Sequence, residues 1–136
     1  MTDAPDPRSG LTVTHRRYVP YSHAHYAGHL VDGAYLLGLF GDVATEVCIR
    51  TDGDEGLFAS YSEVQFRAPV QAGDVVEVDA TVTRVGTRSR ELTFRARVVC
   101  RGAADGASTV ASAAVVLDPP LVAATAVGTV VVPPRT

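Results

Sequence analysis

The sequence of 136 residues has few cysteines, no excess of basic residues and no long apolar run. Its two cysteines, Cys48 and Cys100, are far apart and in no metal or redox spacing, which is typical of reduced cytoplasmic thiols. A formal net charge of −3 gives no electrostatic reason to expect nucleic acid or an anionic membrane as partner. No apolar stretch approaches the ~20 residues that cross a bilayer, and the first ten residues show no signal pattern. We therefore expect a cytoplasmic protein with neither a nucleic-acid nor a membrane partner.

Motifs for several common chemistries are also missing. There is no GxGxxG, Walker or GxSxG motif, so the sequence predicts no dinucleotide site, phosphate loop or serine nucleophile. Zinc ligands can be imagined among His23, His25, His29 and Asp32, but these residues match none of the established zinc spacings. The sequence thus predicts no metal site and no bound cofactor.

The pattern of apolar residues predicts one helix among several strands. Residues 1–10 are predicted to be loose, and residues 11–18 alternate weakly as a strand does. Apolar residues on nearly every face predict a buried helix over about residues 31–50. Turn signals divide the remainder into five strands. Their predicted ranges are 57–68, 74–85, 90–101, 109–118 and 121–132.

A long helix followed by a run of strands is an α+β plan. The simplest packing bends one antiparallel sheet around the helix, and residues 11–136 are expected to form this as a single domain. Gly33, Gly38 and Gly41 each cost about 1 kcal/mol relative to Ala in a helix. Their presence suggests that another backbone, expected to be the sheet, approaches the helix at these positions.

Acids within the predicted helix and histidines before it are candidates for proton transfer. Asp42 and Glu46 lie one turn apart, and burial in an apolar helix would raise their pKa values, which suits a general acid or base. The alternative is that each carboxylate is paired with an arginine. For His25 we favour a role as an acid–base group, whereas His15 is interpreted as a structural residue bonded to the backbone.

Arginines are concentrated near the middle of the predicted strands. Six of them fall within one span of 18 residues and would make a local basic patch that binds anions. The alternative, which stays open, is a solvated strand face. These residues are Arg84, Arg88, Arg90, Arg95, Arg97 and Arg101.

Four segments resemble those of the hotdog acyl-CoA ammonia-lyases that act on 3-aminobutyryl-CoA and β-alanyl-CoA. They are AHYAGHLVDGAYLLGLFGDVATE, DGDEGLFASY, FRAPVQAGD and VGTRSR, in the family's order and spacing between about residues 18 and 101. Two positions depart from the family, since His23 replaces its usual Asp and His29 its usual Asn. The resemblance implies a hotdog fold, in which one curled antiparallel sheet wraps a long central helix.

The resemblance also implies a reaction, the reversible β-elimination of an amine from a β-aminoacyl thioester. Its catalytic candidates are His25, Asp42 and Glu46, with the acid and base roles undivided between them. The thioester enolate would be stabilised by N–H groups at the start of the helix. The residues expected to bind substrate are His23, Gly28, His29, Asp32, Gly33 and Ala34.

Arg88 and Arg90, beside the turn at Gly86, are expected to hold the CoA phosphates. No cofactor is implied beyond the CoA of the substrate.

Three alternatives stay open: a hotdog thioesterase, amine addition to a thioester on an acyl-carrier protein, and a non-catalytic acyl-thioester-binding protein. Since hotdog subunits pair edge to edge, the resemblance implies a homodimer or a trimer of dimers.

Overall fold

The computed structural model describes residues 5–103 and 110–134, and these residues form one long helix and seven strands. Two short 3-10 turns, Tyr21–His23 and Ala27–His29, flank β2. The elements in chain order are β1 (Thr12–Tyr18), β2 (Ala24–Tyr26), β3 (Leu30–Val31), α1 (Gly33–Asp52), β4 (Leu57–Phe66), β5 (Val75–Val85), β6 (Ser89–Gly102) and β7 (Ala114–Val131).

Five of the strands form one antiparallel sheet with the order β1-β5-β6-β7-β4, and β2 pairs with β3 in a separate small ribbon. The helix α1 contacts all five strands of the main sheet. The predicted α+β arrangement of one antiparallel sheet around one helix is therefore confirmed. Within the described residues, β1 and β4 are the two edges of this sheet.

The core lies between the helix and the inner face of the sheet. On β5, buried residues alternate with partly exposed ones from Val76 to Val82, as expected for a strand with one face against a core. The Phe94 ring of β6 stacks on Phe40 of the helix at a centroid distance of 5.0 Å and on Phe58 of β4 at 5.7 Å. Phe40 and Phe94 are fully buried and each contributes about 1.5–3 kcal/mol by burial. These aromatic contacts join the helix to β6 and β6 to β4.

The last two predicted strands are one strand, β7, in the structure. Pro119 and Pro120 do not end it, because they lie opposite a shift in register between Val98 and Cys100 of β6. Proline lacks an N–H donor and is tolerated at such irregularities. The prediction of a break at the prolines is therefore wrong. The predicted start of the strand 109–118 lies outside the described residues, which omit 104–109.

The helix has an exposed face, so the prediction of a buried helix holds only for the side that packs against the sheet. Ala34, Gly38, Asp42 and Ile49 are exposed, whereas the opposite side packs into the core. A Cβ atom added at Gly38 or Gly41 would meet no atom within 4 Å. The predicted close approach of the sheet at these two glycines is therefore wrong.

In the described part of the chain, no helix combines the length and the hydropathy needed to cross a membrane.

The N-terminal segment packs against the C-terminal end of α1. The Arg8 guanidinium is paired with Asp6 at 2.8 Å and with Asp52 at 3.0 Å, and the Gly10 N–H donates to the Val82 carbonyl at 2.8 Å. The described part of this segment is therefore anchored, in contrast to the looseness predicted for residues 1–10.

Candidate active site

The N-terminus of α1 carries backbone donors that no side chain caps. Asp32 precedes the helix with extended backbone (φ −75°, ψ 157°), and its carboxylate makes no capping hydrogen bond. The first N–H groups of a helix have no acceptor within the helix itself. Since the described residues supply no other acceptor, the N–H groups of Gly33 and Ala34 are available to a ligand oxygen. This geometry suits an anionic oxygen such as that of an enolate.

A cleft with a volume of about 460 Å³ opens beside this helix end. Its walls are mostly apolar, which suits an acyl chain, and the ring of Phe66 lies so close to Gly33 that a Cβ there would overlap it. Arg67 is the one charged side chain of the lining, and its Nε donates to Thr125 Oγ1 at 3.2 Å. The lining residues are Tyr26, Leu30, Val31, Gly33, Leu36, Phe66, Arg67, Ala68, Pro69 and Val70.

The histidines of the preceding loop are exposed and lie near the same helix end. His23 packs its ring on Tyr35 in the first turn of α1, with centroids 4.4 Å apart, and His25 lies edge-on to Tyr26 at 4.6 Å. Burial raises the pKa of the Tyr35 hydroxyl. Nowhere in residues 5–103 and 110–134 do three or more metal-ligating His, Cys, Asp or Glu side chains converge.

The turn expected at Gly28 is present and extends through the next residue. Gly28 has φ +74° and His29 has φ +62°, so both occupy the left-handed region. Ala72 fixes this conformation by donating its N–H to the His29 carbonyl at 2.8 Å. Asn and His are both enriched among non-glycine residues at positive φ, so His29 suits this conformation, as would the Asn that the resemblance implies at this position.

Substitutions at His29 test this backbone requirement. His29→Asn is expected to leave the free energy of unfolding within about 0.5 kcal/mol of the parent. His29→Val is expected to lower it by about 1–2 kcal/mol, because a β-branched residue is strained at positive φ. Urea denaturation of the three proteins measures both values. Equal stability of the Val and Asn variants would show that the conformation at residue 29 does not limit the choice of side chain.

The helical carboxylates are not the buried acids that the sequence predicted. Asp42 is 59% exposed in its side chain, and Arg17 Nη2 lies 3.8 Å from its Oδ2. Glu46 accepts from Arg50 Nε at 2.8 Å, and His15 Nε2 lies 2.8 Å from its other oxygen. These bonds, first that from Arg50 and then that from His15, lower the pKa of Glu46. The predicted burial of Asp42, the raised pKa of Glu46 and the backbone bond of His15 are therefore wrong, and the alternative of arginine pairing is observed.

Within one chain, the structure does not bring the carboxylates to the helix N-terminus. Along the axis of an α-helix, Asp42 lies about 14 Å and Glu46 about 20 Å from Gly33, at 1.5 Å per residue. Within one chain, the predicted substrate-binding residues near Gly33 and the carboxylates of Asp42 and Glu46 are therefore two separate clusters.

Arg90 does not have the predicted CoA-binding role. Its side chain is 3% exposed, and it donates to Asp52 through Nε at 3.0 Å and Nη2 at 2.7 Å. Its Nη1 donates to the carbonyls of Gly86 and Ser89 at 2.9 and 2.8 Å. Four of the five N–H donors of Arg90 are engaged within the chain and its side chain is buried, so it is poorly placed to bind a phosphate. It fastens the β5–β6 turn to the end of the helix instead.

Most of the predicted basic patch is neutralised by ion pairs, some of which lie on the outer face of the sheet. Arg95 pairs with Asp79 at 3.4 Å, Arg97 with Glu77 at 3.3 Å and Arg101 with Asp74 at 2.8 Å. Arg84 and Arg88 have no ion pair with any described residue. Arg88 is exposed beside a groove of about 900 Å³, so it remains able to bind an anion. The groove is lined by residues 54–57, 87–89 and 131–134.

Sequence reasoning missed two residues of β1 that contact the helical carboxylates. His15 and Arg17 lie on the inner face of β1, in the positions that alternate with outward-facing Arg16. The alternation along β1 could have found them. It places His15 and Arg17 on the same face as buried Val13, and a polar side chain on a core-facing position needs a partner.

Comparison with known proteins identifies relatives of this chain. The family model described as the thioesterase superfamily matches residues 28–107. The 3-aminobutyryl-CoA ammonia lyase of Acetoanaerobium sticklandii is 53% identical over 110 residues, which cover 81% of this chain and 85% of the relative. The structure of β-alanyl-CoA:ammonia lyase from Clostridium propionicum matches with a TM-score of 0.85 and 34% identity, over 91% of this chain and 86% of that one. A hexameric thioesterase from Yersinia pestis shares the fold, with a TM-score of 0.70 and 18% identity over 92% of this chain and 88% of that one.

Proposed function

Because the chain belongs to the thioesterase superfamily, and within it to the hotdog acyl-CoA ammonia-lyases, we propose that it catalyses reversible elimination of ammonia from a β-aminoacyl-CoA of the 3-aminobutyryl-CoA type. The observation that carries this proposal is the 53% identity to the 3-aminobutyryl-CoA ammonia lyase over 81% of the chain. Membership confirms the fold and the family expected from the sequence motifs. A cytoplasmic location remains a prediction.

The helix N-terminus and Asp42 supply the groups that the elimination needs. A base removes the Cα proton, and the thioester oxygen takes up negative charge that the N–H groups of Gly33 and Ala34 stabilise. The electron pair then forms the Cα–Cβ double bond as the C–N bond breaks, and the amine leaves with the electrons of that bond. Asp42 suits the base better than Glu46, because Arg50 and His15 already bind the two oxygens of the Glu46 carboxylate.

A second copy of the chain brings the two halves of the site together. A two-fold axis near Gly38, midway between Gly33 and Asp42, places Asp42 of one helix beside Gly33 of an antiparallel second helix. The open space at Gly38 and Gly41 lets two helices approach closely there. The exposed edge strand β4 offers pairing partners for a second sheet. We therefore expect a homodimer as the catalytic unit, and a trimer of dimers as its larger assembly.

The CoA phosphates are assigned to Arg88. In the antiparallel pair, Arg88 of the second copy lies near the end of its helix at Asp52, about 15 Å along the axis from Asp42. The adenosine end of a CoA whose thioester sits at the first helix's N-terminus therefore extends towards this exposed guanidinium. CoA and an acyl-carrier protein both carry a phosphate near this end, so the same arginine serves either carrier.

Arg88→Ala is expected to raise the Michael constant for a CoA substrate about tenfold, equivalent to about 1.4 kcal/mol, with turnover less affected. The reason is that the phosphate contact is the same in the bound substrate and in the transition state. Steady-state kinetics on crotonyl-CoA measure both constants. Arg84→Ala, an exposed arginine of the same hairpin, is the matched control and should change neither. An unchanged Michael constant in Arg88→Ala would make Arg88 a solvated residue.

One assay separates this function from its alternatives. The protein is incubated with crotonyl-CoA and ammonia while the enoyl absorbance and free thiol are followed together. Loss of absorbance without thiol release is the expected result and means amine addition. Thiol release means thioester hydrolysis, which the match to the thioesterase superfamily keeps as the second candidate. Neither signal would leave a non-catalytic acyl-thioester-binding protein.

A further inference from the structure

Two polar contacts join β1 to α1, and their spacing along the strand matches their spacing along the helix. His15 contacts Glu46 at 2.8 Å, and Arg17 lies 3.8 Å from Asp42. Two residues of a strand advance about 6.8 Å and four residues of a helix about 6 Å, so successive inward positions of β1 meet successive turns of α1. The strand thus presents a titratable side chain, His15, to Glu46, which lies one helical turn from the proposed catalytic Asp42.

The contacts of Glu46 fix which nitrogen of His15 carries the proton. Arg50 donates to one carboxylate oxygen and lowers the pKa of Glu46, so the carboxylate is charged and acts only as an acceptor. Its other oxygen therefore accepts from Nε2–H of His15, so Nδ1 is the ring nitrogen that is left for proton exchange. The described residues offer no hydrogen bond to Nδ1. A carboxylate that orients a histidine in this way prepares the opposite nitrogen for proton transfer.

We propose that His15, oriented by Glu46, is the acid–base group that carries the proton of the amine. This proposal rests on the proposed function. In the addition direction, the nitrogen lone pair of ammonia forms the bond to Cβ, the π electrons move towards Cα and the thioester, and the nitrogen gives its extra proton to His15 Nδ1. Cα then receives a proton from Asp42. In elimination, Asp42 removes the Cα proton and the imidazolium of His15 returns a proton to the departing amine.

The surroundings of His15 agree with such a role. Its side chain is 22% exposed, so it is reachable from the exposed helix face but shielded from bulk water. His15 contacts Glu46, which also binds Arg50, and its neighbour on β5 is the apolar Val78. The pair of Arg17 and Asp42 lies two residues along β1 and one turn along α1. Asp42 lies one helical turn from Glu46, the partner of His15. Asp42 can therefore exchange the proton of Cα while His15 exchanges the proton of the amine nitrogen.

The test compares two leaving groups in His15→Gln. With 3-aminobutyryl-CoA, kcat is expected to fall about 10²–10⁴-fold, because glutamine can hydrogen-bond to Glu46 but cannot transfer a proton. With 3-chlorobutyryl-CoA, chloride leaves without a proton, so the variant is expected to keep elimination within about threefold of the parent's rate. An equal loss on both substrates, or no loss on either, would overturn the proposal.

Two further variants separate proton transfer from a merely structural contact. Glu46→Gln should show the same dependence on the leaving group, and the double variant should be no slower than His15→Gln, since both act through one unit. Arg16→Gln breaks an ion pair with Glu77 on the outer face of the same strand and should be as active as the parent on both substrates. If the parent protein eliminates neither amine nor chloride, the proposed function itself is wrong. If the parent is active and His15→Gln is unimpaired on the amine, only the role of His15 is wrong.

Discussion

Replacing Asp42 with Asn is expected to lower turnover of 3-aminobutyryl-CoA by about 10²–10⁴-fold without unfolding the protein. The large kinetic effect follows from losing the base for the Cα proton. The small structural effect follows from the position of Asp42, which is 59% exposed and has a cation no closer than Arg17 at 3.8 Å among the described residues. Steady-state kinetics give the rate, and thermal denaturation shows that the variant is folded.

Asp79→Asn is the matched control for this experiment. Asp79 also forms a long ion pair, at 3.4 Å to Arg95, but it lies on the outer face of the sheet, away from the helix. It should retain full turnover. A folded Asp42→Asn protein with near-normal kcat would show that Asp42 is only an exposed helix residue and that another group takes the Cα proton.

Asp52→Asn is expected to lower the free energy of unfolding by about 3–5 kcal/mol, because it leaves Arg90 buried without its charge partner. The two side chains are only 8% and 3% exposed, and the pair joins the helix to the β5–β6 turn. Urea denaturation at pH 7 measures the loss. The control is Arg16→Gln, which removes only an exposed guanidinium from its pair with Glu77 and should cost less than about 1 kcal/mol. Similar losses in the two variants would mean that burial does not strengthen the Asp52 pair.

The Asp52 pair also predicts a dependence of stability on pH. The hydrogen bonds from Arg90 are the main cause that lowers the pKa of Asp52 from 3.8 to about 2. A carboxylate whose pKa is lower in the folded than in the unfolded state stabilises the folded state. This stabilisation is complete at a pH above the pKa of the unfolded state and is lost as the pH falls towards the pKa of the folded state. The contribution is therefore present above about pH 4 and is lost between pH 4 and 2. Asp52→Asn should flatten this part of the stability curve, and an unchanged slope in the variant would contradict the assignment.

The fold was predictable from the sequence because its determinants are local. The alternation of residues on β5 and the spacing along α1 place the elements within a few residues of their observed bounds. The break predicted at Pro119 and Pro120 failed for a non-local reason. Whether proline ends a strand depends on the register of the neighbouring strand, here the shift in β6 opposite these residues.

The site was predictable only where it is built from neighbouring residues. The turn at Gly28 and the uncapped helix start at Gly33 follow from short motifs. Arg90 finds its partner 38 residues away in Asp52, and His15 finds Glu46 at a separation of 31 residues. Side-chain pairs across such separations leave no periodic signal, so the sequence assigned Arg90 to CoA and His15 to the backbone.

The central claim is that an amine lyase site forms between two copies of the chain, and a complementation experiment tests it directly. Ala34→Pro removes one of the two N–H donors that stabilise the enolate, and Asp42→Asn removes the base, so each variant alone is expected to lose at least about 10²-fold in turnover. The two proteins are co-expressed with different tags, and the addition of ammonia to crotonyl-CoA is measured. If the helix N-terminus and Asp42 of one site come from different copies, a mixed dimer holds one intact site. Random pairing makes half of the dimers mixed, so the mixture should recover about a quarter of the parent activity. Mixed oligomers that are detected by mass spectrometry but stay as inactive as the two variants alone would contradict the shared site.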